Sequence, residues 1–221
     1  MRLSLRALEI CRVKYGKGIF CGMELVEESY FDELAEADIR KDYDILLQNE
    51  MIENATGTIR ISALGQHILG MLVAPEQYIM INNVADSVCV RVYIKNAYYL
   101  CVLEDKKVEA YDEYDRYIVE LLPNLDLVVG SFVHAIHREE AASLMVDDGQ
   151  NPLEIVGKAW NKDGEVCSEI TISGEYFEEG IHCQMLKPVK EEFDCESYRL
   201  INKITEWVLK NIAATYESEV G

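Results

Sequence analysis

The feature that most constrains this chain is a stretch from residue 76 to residue 113 in which apolar and polar residues alternate with a period of two. Successive side chains of a strand point to opposite faces of a sheet, so this period predicts strands. The connections between these strands are only a few residues long, which favours an antiparallel meander. We predict strands at 76–83, 86–95, 96–105 and 106–113.

Helical periodicity precedes and follows this meander. Apolar residues recur at near-helical spacing in three segments before it, and the third has Ser62 as its expected N-cap and ends at Ala74–Pro75. The phrase ENATG predicts a tight turn before this third helix, with Asn54 and Gly57 able to take positive φ. We predict these helices at 3–15, 36–49 and 63–73, and a further helix from Tyr114 to Leu122, ended by Pro123.

The second half of the chain repeats this order in outline. The pattern predicts a short helix at 137–145 and strands at 164–177 and 179–189, while the segment PLEIVGKAW (152–160) fits either a helix or a strand. The C-terminal segment at 195–216 has the clearest apolar stripe in the chain and predicts a long helix.

Together these elements predict an α+β fold in which helices flank a central antiparallel β-sheet. A length of 221 residues with 49% hydrophobic residues is sufficient for a packed core. We expect residues 1–221 to form a single compact domain. Within it, residues 1–123 (helices, then a meander) and 124–221 (strands, then the long C-terminal helix) are expected to be similar halves in a quasi-twofold arrangement.

The charge balance argues against a nucleic-acid partner. The chain has 21 basic and 40 acidic residues, a net charge of −19, and such a surface repels a phosphate backbone. Seven widely spaced cysteines without a CxxC pair indicate reduced thiols, as in a cytoplasmic protein. The N-terminal segment lacks the apolar region of a signal peptide, and no apolar run reaches the length of a membrane span. We therefore expect a cytoplasmic protein that is not inserted in a membrane.

The sequence lacks the common motifs of catalytic sites. The chain lacks GxSxG, GxxxxGK[ST] and GxGxxG, so nucleophilic and phosphate-binding chemistry have no sequence support. His134 and His137 form an HxxH spacing near acidic residues, but without the HExxH order of a zinc protease. We expect no catalytic residue, no cofactor and no enzymatic activity, and keep His134 and His137 as weak candidates for metal ligands in an alternative, metal-dependent enzyme.

The order helix, turn, helix, strand in residues 49–82 also occurs in winged-helix DNA-binding proteins. There the helix at 63–73 would lie in the major groove and would need side chains that reach base edges. Gln66 and His67 are the only ones it carries, and its other residues are mostly apolar, so we expect this helix to pack against the protein. A regulatory or ligand-sensing protein with a winged-helix-like segment is the second alternative.

Aromatic residues provide candidates for a protein-binding surface. The chain has 13 tyrosines, whose rings and polar tips are favoured at interfaces, although tyrosines that simply line the sheet explain the number equally well. Trp207 and Leu209 lie off the main apolar stripe of the C-terminal helix, where a tryptophan is either part of the core, which we favour, or an interface anchor. The candidate partner-binding residues are Tyr114, Tyr117, Trp207 and Leu209.

Two phrases of the first half, LLQNEMIENATGTI at the end of one helix and ILGMLVAP at the end of the next, are followed by the alternating strands VRVYIKNAYYLCVLEDKKVEAYD. In this order they resemble the EspG-type chaperones of type VII secretion systems, over residues 37–122 and in outline over the rest. The resemblance implies a soluble, cytosolic α+β protein with two similar halves around an antiparallel sheet. It carries over no functional residue.

The resemblance also implies a partner. Such chaperones bind the exposed end of a helical-hairpin secretion substrate and shield its apolar tip until export. The family is best known with actinobacterial PE–PPE heterodimers, whereas the composition of this chain is more typical of Firmicutes, where the client would be a WXG100-like or LXG-type helical protein. The acidic balance of the chain predicts a client tip that is neutral or basic.

Overall fold

The computed structural model describes residues 2–3, 5–14, 18–23, 36–83, 88–105, 117–124, 126–128, 130, 152–177, 180–187, 190–195 and 197–218. The helices in this part of the chain are α1 (Leu5–Lys14), α2 (Glu36–Gln48), α3 (Ala63–Val73) and α4 (Ser197–Ser218). The strands are β1 (Arg2–Leu3), β2 (Ile52–Ala55), β3 (Thr58–Ile61), β4 (Gln77–Asn83), β5 (Val88–Lys95), β6 (Tyr98–Asp105), β7 (Tyr117–Leu122), β8 (Pro152–Asn161), β9 (Val166–Phe177), β10 (Gly180–Lys187) and β11 (Glu191–Cys195).

Nine of the described strands form one sheet in the order β1-β7-β6-β5-β4-β8-β9-β10-β11. Every neighbouring pair in it is antiparallel, and β2 and β3 form a separate hairpin. Helices pack on the sheet, so the predicted α+β fold with a central antiparallel sheet is confirmed. None of the described helices combines the length and the hydropathy needed to cross a bilayer.

The sheet consists of two meanders. Strands β4 to β7 lie side by side in chain order from the centre of the sheet towards one edge. Strands β8 to β11 do the same towards the other edge, and the two sets join through the antiparallel pair β4–β8. A half-turn about an axis through the centre of this pair, where Met80 lies opposite Lys158, exchanges the two meanders in strand order and direction. The strand topology therefore has a quasi-twofold arrangement of two similar halves, as the predicted fold class states.

Each face of the sheet belongs to a different hydrophobic cluster. Face A carries side chains such as Ile79, Val92 and Ile172, and α4 packs on it. Face B carries the alternate side chains, such as Tyr93 and Leu100, and packs against α1, α2, α3 and the segment 18–23 that follows α1. The helix residues in the face A cluster are Leu200, Ile201, Ile204, Trp207, Val208 and Ile212. Those in the face B cluster are Leu5, Ala7, Leu8, Cys11, Leu46, Ile68, Leu69, Met71 and Leu72.

Helix α3 begins at the predicted cap. The Ser62 hydroxyl oxygen accepts a hydrogen bond from the Gly65 backbone N–H at 2.9 Å, which satisfies one of the donors that a helix start leaves without a partner. The turn before it differs from the prediction in one position. Thr56 and Gly57 have positive φ, whereas Asn54 is paired within β2, because the ENATG phrase forms a two-residue hairpin turn.

One predicted helix is wrong. Residues 117–122 of the predicted helix from Tyr114 to Leu122 form β7, which pairs with β6 on one side and β1 on the other. The segment YIVELL is short and apolar enough to fit both periods, and its β-branched Ile118 and Val119 favour a strand once a sheet edge is present. PLEIVGKAW, left open between helix and strand, lies in β8. The predicted strand at 106–113 and helix at 137–145 lie outside the described residues.

Close packing between α4 and the central strands depends on a glycine, Gly157, which has no side chain. A Cβ atom at Gly157 would lie 2.5 Å from Ile170 Cγ2, 2.8 Å from Ile81 Cδ1 and 3.0 Å from Trp207 Cζ3. The indole of Trp207 therefore lies against the space that Gly157 leaves on face A. Polar contacts fix the same helix: Trp207 Nε1 donates to Ser168 Oγ at 3.0 Å, and Gln77 Nε2 donates to the Asn211 carbonyl at 2.9 Å.

We predict that Gly157→Ala destabilises the protein by about 1–3 kcal/mol, because the added methyl group overpacks the contact between β8, β9 and α4. Urea denaturation measures the free energy of unfolding. Gly70→Ala is the matched control: nothing lies within 4 Å of its Cβ position in α3, so the change should stabilise by about 0.5–1 kcal/mol through helix propensity. Equal effects of the two substitutions would contradict the packing described here.

Candidate functional site

Face B of the second meander is covered by none of the described helices. In the first meander the face B side chains of β4, β5 and β6 are mostly buried, whereas every described face B side chain of β8 to β11 is exposed or half-buried. We call this surface the open face. It consists of Glu154, Val156, Lys158, Trp160, Val166, Glu169, Thr171, Ser173, Glu175, His182, Gln184, Lys187, Glu192 and Asp194.

Polar side chains cross the open face in rows set by the strand register. Gln184 lies opposite Ser173 on β9 and Glu192 on β11, and its Nε2 donates to Glu192 Oε1 at 2.8 Å. Glu169 is bound by Lys187 on the neighbouring strand and lies 3.7 Å from Lys158 Nζ. The hydrogen bond from Lys187 lowers the pKa of Glu169. The rows therefore present ionised groups to solvent.

His182 is the one histidine on the open face. It lies opposite Glu175 on β9 and Asp194 on β11, and its Nδ1 is 2.5 Å from Asp194 Oδ1. The hydrogen bond to Asp194, with the negative charges of Asp194, Glu192 and Glu175, raises the pKa of His182 above 6.5. These contacts therefore favour the protonated, positively charged imidazole.

The covered half of face B contains a polar centre of a different kind. The rings of Tyr78 and Tyr93 stack at 5.1 Å, and Trp160 stacks on the other side of Tyr78 at 4.6 Å. Arg91, which is 9% exposed, forms an ion pair of 2.8 Å with Glu104, which is 3% exposed. Tyr78 and Trp160 lie opposite each other on β4 and β8, where the two meanders join, and Arg91 and Glu104 lie on the next strands, β5 and β6.

This centre fixes the segment around Gly22, which lies between α1 and α2 in the chain. Arg91 Nε donates to the Gly22 carbonyl at 3.0 Å and the Tyr93 hydroxyl donates to the Cys21 carbonyl at 2.7 Å. Gly22 has a φ of 68° and lies so close to Tyr78 that a Cβ would meet its hydroxyl oxygen. Burial raises the pKa of Tyr78 and Tyr93, so both hydroxyls stay protonated. These contacts hold the backbone at Cys21 and Gly22 against face B of the sheet.

Helices α1 and α2 meet through one buried ion pair, and a second lies within α1. Arg6 Nε donates to Asp42 Oδ2 at 2.5 Å, and the Asp42 side chain is fully buried. Along α1, Arg12 Nε donates to Glu9 Oε2 at 2.6 Å; burial raises the pKa of Glu9, and the pairing with Arg12 opposes this. Because α2 buries only Asp42 and Leu46, this ionic contact is a main attachment of α2 to the protein.

The candidate partner-binding residues are separated by the fold. Tyr117 is half-buried on face B of β7, where its hydroxyl donates to Glu104 Oε1 at 3.1 Å. Trp207 is 8% exposed and packs on face A, which agrees with the core interpretation and leaves little of its ring for a surface anchor. Leu209 is half-buried on α4. Tyr114 lies outside the described residues; of the other three, Tyr117 and Trp207 lie on opposite faces of the sheet.

The described residues provide no structural support for the metal-binding or the DNA-binding alternative. His134 and His137 lie outside the described residues, and within the described part no group of three or more histidines, cysteines or carboxylates is placed to hold a metal. Helix α3 packs on face B with Gly65, Ile68, Leu69, Met71 and Leu72 buried. Gln66 is exposed while His67 is half-buried, with its ring 4.8 Å from that of Tyr98.

The described cysteine side chains form no disulfide bond with one another. Four of them, Cys11, Cys89, Cys101 and Cys183, are buried, and Cys167 is exposed. Burial raises the pKa of the Cys11 thiol to about 12, with Lys14 opposing, and burial also raises the pKa of Cys21. A raised thiol pKa disfavours the nucleophilic thiolate, so neither thiol has the environment of a catalytic cysteine.

Sequence reasoning missed the open face, although a signal for it exists. In residues 168–175 the polar Glu169, Thr171, Ser173 and Glu175 alternate with Ile170 and Ile172, the pattern of a strand with one solvated face. That pattern shows which side chains share a face. It does not show that the neighbouring strands present polar residues to the same side, because this depends on the register between strands.

Comparison with known proteins adds no relative to this picture. Neither a scan against protein-family models nor a search of curated proteins finds a match for the chain.

We predict that Asp194→Asn lowers the pKa of His182, since the hydrogen bond to Asp194 is the largest cause of its elevation. Titration of the imidazole by NMR measures the change, and Glu192→Gln, which removes only a weaker charge effect, should lower it less. Because the folded pKa is above the unfolded value, the contribution of His182 to stability is present below pH 6.5 and is lost as the pH rises through the folded pKa. A titration unchanged by Asp194→Asn would refute the pairing.

We predict that Glu104→Leu costs about 3–5 kcal/mol of unfolding free energy, because it leaves the buried Arg91 without its counter-ion. The double variant Arg91→Met/Glu104→Leu should recover much of this loss. Glu36→Ala is the control, since its pair with Arg40 is solvent-exposed and is worth no more than about 1 kcal/mol. Chemical denaturation of the four proteins compares them, and a Glu104→Leu cost no larger than that of the control contradicts the prediction.

Proposed function

We propose that this protein is a non-catalytic cytoplasmic chaperone or adaptor that binds a helical secretion substrate in a type VII-like secretion system. The observation that carries the proposal is the open face: among the described helices, some lie on each face of the first meander, whereas only α4 packs on the second meander, on face A. A broad sheet surface next to a rigid core is a suitable platform for a helical partner.

The chemistry of the described residues supports binding in preference to turnover. The buried ion pairs Arg91–Glu104 and Arg6–Asp42 hold backbone segments and helices in place. The thiols of Cys11 and Cys21 have raised pKa values. These groups have structural partners and do not converge on a cleft with a nucleophile and its base, which is the arrangement that covalent catalysis requires.

The class of client follows from the resemblance of residues 37–122 to EspG-type chaperones. The proposed client is a helical hairpin of the WXG100 or LXG type, or a PE–PPE heterodimer, whose tip is held until export. The confirmed strand topology of two joined meanders agrees with the fold that this resemblance implies. The mechanism is equilibrium binding: the client tip loses water-exposed apolar area, and polar groups around it fix its orientation.

We predict that the protein, co-expressed with a helical-hairpin protein encoded next to it, forms a complex that survives size-exclusion chromatography. Substituting apolar residues at the hairpin tip by serine should abolish co-elution, because the tip is the part that the chaperone shields. The same substitutions in the hairpin shaft are the control and should leave the complex intact. A complex insensitive to the tip, or catalytic turnover by the isolated protein, would exclude the proposed function.

A further inference from the structure

We infer that the open face binds a partner helix whose facing side is positively charged. The inference rests on the proposed function and specifies two things that function leaves open. One is the docking surface on this chain, and the other is the charge of the client segment that contacts it.

The position of the open face follows from the twofold relation between the meanders. The half-turn that exchanges β4 with β8 also exchanges β5 with β9 and β6 with β10, and keeps face B on the same side. The open face is therefore equivalent to the part of face B on which α1 and α3 pack in the first meander. The sheet supports two packed helices there, so its counterpart has the strand number and width to accept a helix.

The chemistry of the two equivalent surfaces differs and selects a different occupant. In the first meander face B presents Tyr93, Leu100 and Val102, and α3 meets them with an apolar surface. On the open face the rows carry carboxylates, hydroxyls and amides. An apolar helix placed there would bury ionised groups without partners, which is costly. A helix with lysine or arginine on its facing side would pair with them.

Charge on the open face is negative overall, since its carboxylates outnumber its lysines. Lys158 and Lys187 are already engaged with Glu169. Glu154 and Glu175 are exposed, and neither lies within ion-pair distance of a described cation. These two carboxylates are thus available to a cationic partner. The same charge argues against a second copy of this chain as occupant, because two open faces would repel each other.

Two synthetic amphipathic helical peptides with a common apolar stripe provide the probe, one with lysines and the other with glutamates at the polar positions. Binding to the full-length protein is followed by fluorescence anisotropy at low ionic strength. The test variant is Glu154→Lys/Glu175→Lys. The matched control is Asp38→Lys/Asp44→Lys, which makes the same change in net charge at exposed positions of α2.

The expected result is that the lysine peptide binds the parent protein and the α2 control alike and binds the open-face variant about tenfold more weakly. The glutamate peptide should not bind. Amide shifts in the NMR spectrum of the parent protein should change at Thr171, Ser173 and Gln184.

Equal weakening by both double variants would overturn the inference, because it would assign the binding to overall charge. Shifts confined to α4 or to the first meander, or a parent protein that dimerises through the open face, would overturn it as well. The proposed function is judged separately: a hairpin client that co-elutes equally with the parent and with the open-face variant refutes this docking surface, and the chaperone function is then decided by the substitutions in the hairpin tip. Loss of co-elution with the open-face variant alone supports both.

Discussion

The antiparallel pairing of β4 with β8 is the interaction on which the rest of this structure depends. Seven residue pairs, from Gln77 opposite Asn161 to Asn83 opposite Ile155, join two meanders that are far apart in sequence. The same strands supply the centre of the face A core, where Ile81 and Gly157 lie beneath the indole of Trp207. One continuous sheet, and one surface for α4, exist because this pair forms.

The twofold relation created by that pair is broken on face B. In the first meander α1 and α3 bury the sheet, and the Arg91–Glu104 pair with its stacked tyrosines secures the segment around Gly22. In the second meander the equivalent surface is polar and faces solvent. A single antiparallel sheet can satisfy both conditions, because alternate side chains of a strand lie on opposite faces. The strands of the second meander can therefore bury their face A side chains while their face B side chains contact solvent. The described part of the molecule thus combines a packed core with a charged sheet surface.

Local periodicity was sufficient for most elements. The period of two in 76–105 and the apolar stripe of α4 predicted the strands and the long helix, and Ser62 predicted the start of α3. It failed at 117–122, where a short apolar segment fits both periods and pairing with β6 and β1 decides for a strand. It also failed to identify β1 and β11, which are short edge strands whose conformation is set by their neighbours.

The amino-acid sequence by itself determined the fold class, the negative charge and the places where most helices and strands begin and end, since these depend on composition and on contacts between residues close in the chain. Tertiary structure alone decided that the two meanders share one sheet, that Trp207 is a core residue, and that the polar positions of β8 to β11 lie side by side. The physical reason is register. Which residues of distant strands face each other is fixed by long-range hydrogen bonding and by the burial of one face, and neither is encoded in any single segment.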